Sequence, residues 1–302
     1  MDQHSGVAGA SPQSDDAPGG DRWWQAKSIR RILSFLAILL LLMVLWEGYK
    51  VVWRWQDWLW PVRPDNSAMP HTWDIVDAIF SPARRGGEDI LLVILGRAAL
   101  FTFREALAGF VVGGLFGFGI AVLFVRSPLM ERGLMPYVVA SQTVPLIAIA
   151  PMVVIWGGRL DLPRWTMVAV ISAYLTFFPV TINTIRGMRS PSATSAELMR
   201  SYAAKPREVL WKLQFPAALP YIFTALKISA TASVIGAIIG ELPSGLRDGL
   251  GRNLLNFMYT YISGPEKLYA AIVVSALVGI FFVALVSLAE RLILPPARRL
   301  ET

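Results

Sequence analysis

Glu197, Tyr202, Lys205 and Arg207 stand within the stretch Ser195–Pro220, SAELMRSYAAKPREVLWKLQFPAALP, where acids and bases alternate with bulky apolar side chains. Residues of these types at helical spacing do the chemistry of docking rather than of bond cleavage. Glu197 and Glu208 are interleaved with Arg200, Lys205, Arg207 and Lys212, so neither sign of charge dominates. A helix that lies on a lipid surface carries a mostly basic polar face. One that seats in a partner's groove instead carries apolar anchors ringed by mixed charge, and Leu198, Met199 and Tyr202 supply such anchors. Ser192 or Ser195 is placed to cap a short helix reaching Tyr202. Pro206 suits the first turn of a second helix, Arg207–Leu213, which ends before Phe215 and Pro216.

A second set of polar residues sits inside apolar surroundings: Gln142 and Thr143, Ser172 and Tyr174, Ser229 and Ser233, with Glu241 at the end of the last run. These are candidates for a translocation path. For each serine or threonine the competing reading is a bond to its own helix backbone, whereas the amide of Gln142 needs partners elsewhere. Lys227 lies about two turns from a helix end and is close enough to snorkel. No carboxylate falls at the middle of an apolar window, where a proton-coupled carrier would place one.

Other chemistries lack their residues. There is no GxxxxGK[ST] phosphate cradle, no GxSxG elbow and no HExxH pair. Cysteine is absent, and the histidines are His4 in a polar tail and His71 in a polar loop, so no catalytic or metal constellation is expected. The chain is read as a non-enzyme that binds no cofactor; if ATP drives it, ATP binds to another chain.

The elements that position these residues must be membrane helices. Of 302 residues 55% are hydrophobic and 16% charged, with a mean hydropathy of +0.52. Six windows approach the length of about 20 apolar residues that a spanning helix needs: Ile32–Val52, Ala106–Val125, Leu134–Trp156, Trp165–Ile185, Tyr221–Ile239 and Leu268–Ala289. None alternates as a barrel strand does. The expectation is an all-α polytopic membrane protein with about six spans and a cytoplasmic two-helix loop over 187–220. Residues 1–28 are read as a disordered tail and 29–302 as the membrane domain. DILLVILGRAALFTFREAL, interrupted by Arg97, Arg104 and Glu105, is read as an interfacial helix leading into the second span, with a seventh span as the alternative.

Charge sets the orientation. The net charge of +7 does not imply nucleic acid, because the basic residues gather at span ends. Arg126 and Arg132, the cluster Arg186 to Lys212, and Arg291, Arg298 and Arg299 crowd short loops on one side, which is therefore cytoplasmic together with both termini. Stripes of small residues, Gly109–Gly113–Gly117, Ala225–Ser229–Ser233–Ala237 and Ala271–Ser275–Gly279, predict close helix packing. Pro145, Pro151 and Pro179 predict kinks in the third and fourth spans.

The loop resembles the EAA loop of the permease subunits of ATP-binding-cassette importers. Glu197 stands at the motif's glutamate, Ala203 at its glycine and Phe215-Pro216 at its hydrophobic-Pro pair, while Leu198 and Met199 replace the two alanines. An alanine at the glycine position is less free to take positive φ. SQTVPLIAIAPMVVIWGG, FFPVTINTIRGM and Glu241 extend the resemblance to the nitrate/sulfonate/taurine branch of these permeases. It implies a homodimer in the bacterial inner membrane, surrounded by lipid. Two ATPase subunits, using ATP and Mg, would dock on Glu197, Tyr202, Ala203, Ala204, Lys205 and Arg207. A soluble binding protein would deliver a small polar solute or anion, such as a sulfonate or a pyrimidine or flavin vitamin precursor. The competing class is a carrier or channel that works without an ATPase.

Overall fold

A computed structural model describes residues 22–56, 65–83 and 89–294, excepting the side chains of residues 22–32, 35 and 36. Among these residues every regular element is a helix, beside one isolated bridge between Pro82 and Ile90. The chain divides into two compact units, Met1–Thr72 and Trp73–Thr302.

The first unit is built on α1, Arg22–Trp55. The helix contains the expected span Ile32–Val52 but begins inside the stretch read as a tail, so residues 22–28 are helical. Residues 1–21 lie outside the described residues. Leu39 to Leu45 are exposed in the single chain, as apolar side chains that face lipid are. Near the end of the unit Glu47 accepts hydrogen bonds from the Thr72 N–H at 2.8 Å and Oγ1 at 3.0 Å. His71 Nδ1 lies 2.7 Å from the same carboxylate, so the histidine expected in an open loop has a partner.

The second unit holds α2 (Thr72–Phe80), α3 (Leu91–Arg126), α4 (Pro128–Ser141), α5 (Leu146–Arg159), α6 (Arg164–Met188), α7 (Ala193–Ser201), α8 (Pro206–Glu208), α9 (Phe215–Ser244), α10 (Leu250–Tyr259) and α11 (Pro265–Ile293). Among the described residues α3, α6, α9 (joined to α8) and α11 are long and apolar enough to cross a membrane, and the bent pair α4–α5 passes the same test together. This agrees with the later expected windows apart from two corrections. α3 is one continuous helix of 36 residues, so Ile90–Glu105 is not a separate interfacial helix. At about 1.5 Å per residue it exceeds a hydrocarbon core of about 30 Å. The third window is broken: α4 and α5 meet at 98°, because Pro145 cannot continue a helix through Gln142–Val144.

α6 packs between α3 and α9, and the small-residue stripes explain how. A Cβ built on Gly109 would fall 2.4 Å from Ser172 Cβ, and one on Gly113 2.4 Å from the Ala173 carbonyl oxygen. The backbones approach so closely that only glycine fits, the means by which helices associate in lipid. The α9 stripe is buried as well, from Ala225 through Ser229, Ser233 and Ala237 to Glu241. The third stripe departs from this pattern. Ala271 is buried, but nothing lies within 4 Å of a Cβ on Gly279.

Candidate functional site

The loop after α6 is a compact two-helix unit. Ser192 caps α7, its Oγ accepting from the Ser195 N–H at 3.2 Å, so of the two candidate caps Ser192 serves. The helix closes through two bonds, Ala203 N–H to the Arg200 carbonyl at 2.9 Å and Ala204 N–H to the Met199 carbonyl at 3.0 Å. These are the paired bonds of a Schellman ending, which requires a left-handed residue just past the cap. Ala203 occupies that position with φ 51°. The replacement of glycine therefore leaves the geometry of the turn intact and loads it with the steric cost of a Cβ.

Beyond the turn Glu208 reaches back to accept from the Lys205 N–H at 3.0 Å and pairs with Lys212 Nζ at 3.0 Å. The second helix does not end before Phe215, as expected. Val209–Gln214 form a π-helical turn that runs into α9, making one helical rod from Pro206 to Ser244. Pro216 and Pro220 cannot donate backbone hydrogen bonds, and both sit in the first turns of α9, where the wider π turn absorbs the mismatch. Of the predicted docking residues, Glu197, Tyr202, Ala203, Lys205 and Arg207 are exposed and Ala204 is half-buried. Tyr202 is 77% exposed and Leu198 56%, with Trp211 at 52% within the π turn. Three large apolar side chains amid charges form a surface suited to protein docking.

The candidate path residues separate into two groups. Ser172, Ser229 and Ser233 are fully buried in the seam between helices. Ser172 Oγ donates to the Ser233 carbonyl at 2.8 Å, and Ser229 Oγ donates to the Thr176 carbonyl at 3.2 Å. Ser233 Oγ bonds its own helix at Ala230, 2.9 Å away. In the single chain the Ser172 and Ser229 hydroxyls join α6 to α9, while that of Ser233 serves its own helix. Gln142 and Thr143 are instead exposed at the α4–α5 break, where Thr143 Oγ1 bonds the Ala140 carbonyl at 2.7 Å and Gln142 reaches Ser141 Oγ at 3.5 Å. Tyr174 is half-buried and its hydroxyl donates to the Ser141 carbonyl, tying α6 to the break.

Glu241 stands apart from both groups. It is fully buried at the end of α9 farthest from the loop. Its carboxylate accepts from Thr102 Oγ1 at 2.6 Å and from the Gly251 N–H at 2.5 Å. Thr102 Oγ1 accepts in turn from the Leu250 N–H at 2.9 Å, so the pair satisfies the open N-terminus of α10. Two charged features were missed in the sequence. Lys227 does not snorkel: its Nζ lies 2.7 Å from Glu290 Oε2 on α11. Glu105, read as an interruption outside the second span, is buried with 2% exposure. Its signal was the spacing Ala98, Thr102, Glu105, Gly109, which continues the glycine stripe onto the same face.

Long apolar helices joined by a charged two-helix loop between α6 and α9 define a helical membrane protein with one large polar insertion. The chain belongs to the family of binding-protein-dependent transport system inner membrane components, whose profile matches residues 111–295. It is 35% identical to the formylaminopyrimidine transport permease protein of Halalkalibacterium halodurans over 206 residues, 67% of this chain and 80% of that one. It is 26% identical to the nitrate import permease protein of Leptolyngbya laminosa over 276 residues, 90% of each chain. The fold matches the crystal structure of an amino acid ABC transporter with a TM-score of 0.55 at 18% identity, covering 67% of this chain and 95% of the other. The protein is thus an ABC importer permease of the nitrate/sulfonate/taurine branch. The family implies an ABC ATPase and a substrate-binding protein as partners.

Proposed function

We propose that this permease works as a homodimer in the bacterial inner membrane and admits a small polar heterocycle of the vitamin-precursor kind. Both termini and the 187–220 loop face the cytoplasm. The ATPase subunits, which use ATP and Mg, seat on Leu198, Tyr202 and Trp211, with Glu197, Lys205 and Arg207 setting their register. The observation that carries this reading is the unbroken rod from the loop to Glu241. A rod anchored in the docking loop transmits movement of a soluble motor across the bilayer without an intervening hinge. The substrate class follows the formylaminopyrimidine permease; the nitrate permease keeps small anions as the competing cargo. Uncharged groups at the α4–α5 break, Gln142 and Thr143, suit a neutral heterocycle through amide and hydroxyl bonds.

The test is affinity purification from native membranes in mild detergent, followed by mass spectrometry of the bound proteins. The expected result is an ATPase with a Walker A motif, lost in Ala204→Arg although that variant still inserts. Binding of a pyrimidine by the co-purified or genetically adjacent binding protein supports the cargo. A chain that purifies alone and moves solute in liposomes overturns the reading in favour of a stand-alone carrier.

A further inference from the structure

Glu105 and Glu241 are two carboxyl groups buried between α3, α9 and α10. Glu241 is held in a built socket, with Thr102 Oγ1 and the Gly251 N–H directed at it. The socket has room only for glycine: a Cβ on Gly249 would lie 2.5 Å from the Glu241 carboxyl carbon, and one on Gly251 2.3 Å from the Ile238 carbonyl oxygen. Glu105 lies one turn along α3 from Thr102, on the same buried face that meets Glu241, and both its carboxyl oxygens are buried without a hydrogen-bond partner. An uncompensated charge in such a place is costly, and two carboxylates side by side in a dry site cannot both remain ionised.

Among the described residues no lysine or arginine forms an ion pair with either carboxyl: Arg104 beside Glu105 is exposed, and Arg252 of α10 meets Glu241 through its backbone N–H. α3 contributes Thr102 beside Glu105, and α10 offers backbone N–H groups of Gly251 and Arg252 to Glu241. On α11, Lys267 donates to the Ala83 carbonyl at 2.8 Å and Glu290 is paired with Lys227, while Phe281 and Phe282 pack on Phe103. On α6, Arg164 is bound to the Gly245 carbonyl at 2.7 Å. A multivalent metal ion lacks ligands, since no group of three or more His, Cys, Asp or Glu exists among the described residues.

We propose that the Glu105–Glu241 pair holds a single proton between its carboxyl groups, and that this protonated bridge latches α3 to α9 and to the N-terminus of α10. The proton bridges one of the open Glu105 oxygens to the Glu241 carboxyl, leaving a single negative charge on the pair for the donors already aimed at Glu241. Loss of the proton to water sets two charges against each other and releases α10 from the end of the rod. The latch makes the far end of α9 sensitive to pH independently of cargo and motor, so its test does not depend on the transport assignment.

The experiment is infrared spectroscopy of the purified full chain in lipid nanodiscs, titrated from acid to alkaline pH and paired with thermal unfolding. The expected result is a carboxylic-acid carbonyl band that Glu105→Gln abolishes. The wild-type band bleaches on alkalinisation together with a fall in Tm, whereas the Tm of Glu105→Gln stays level over the same range. If the variant does not fold, 13C-glutamate labelling of the wild type must shift the band. Absence of any such glutamate band at every pH overturns the proposal. So does a band bleached by sodium or potassium chloride at constant pH, which would assign the site to an alkali metal ion.

Discussion

Lys227 Nζ lies 2.7 Å from Glu290 Oε2, joining α9 to the last helix by an ion pair whose side chains are 20% and 10% exposed. Inside a bundle the two charges neutralise each other, and removing either leaves its partner stranded. Lys227→Met is expected to destabilise the permease on the order of 3 kcal/mol, the lower end for a broken buried pair because some exposure remains. Adding Glu290→Leu recovers much of that loss, and the exchanged pair Lys227→Glu with Glu290→Lys recovers part of it. Thermal unfolding of the three variants and the wild type in detergent checks this. Equal damage from the single and double replacements refutes a coupled pair.

Ala203 holds a left-handed backbone at φ 51°. Relief of its Cβ strain by Ala203→Gly is expected to stabilise the loop by about 1 kcal/mol. Ala203→Val, β-branched in the same conformation, destabilises it. Amide hydrogen exchange across α7 reads both effects locally. A glycine variant that exchanges faster than wild type contradicts the assignment of strain.

Gly113 and Gly279 belong to similar stripes with different surroundings. Gly113→Ala forces a Cβ against the α6 backbone and should cost about 1–3 kcal/mol through overpacking. Gly279→Ala meets open space and gains helix propensity, so its Tm stays level or rises slightly. Similar losses at both positions would mean that Gly279 packs against a partner.

Gln142 is exposed at the α4–α5 break and reaches only Ser141. Gln142→Leu removes the amide at little structural cost. Uptake in membrane vesicles is expected to fall severalfold while Tm moves by less than the Gly113→Ala variant does. A large loss of Tm with unchanged uptake by the surviving protein would return Gln142 to a packing role.

Glu197 is exposed on α7, so Glu197→Ala removes no internal contact. It is expected to weaken co-purification of the ATPase while leaving Tm unchanged, and undiminished recovery of the ATPase removes Glu197 from the docking surface.

Much of this molecule is local and was legible along the chain. Long apolar windows specify membrane helices because each must satisfy its backbone within itself. Ser192, Glu208 and Pro206 mark the two-helix loop because capping acts over three or four residues. The EAA-like spacing carried the family for the same reason. Where a proline stands, however, the sequence does not say whether a helix kinks, breaks or continues. Pro145 breaks the third window by 98°, while Pro216 and Pro220 stand within a helix that continues from a π turn. Only the tertiary structure decided the partners of the charged residues. Thr102 meets Glu241 across 139 positions, and Lys227 finds Glu290 on another helix. Hydropathy and periodicity assign a residue to a face of its own helix; which face of which neighbour it meets is settled by the close approach of backbones at Gly109 and Gly113. That approach turns Glu105 from an interruption in a hydrophobic run into a buried carboxyl group.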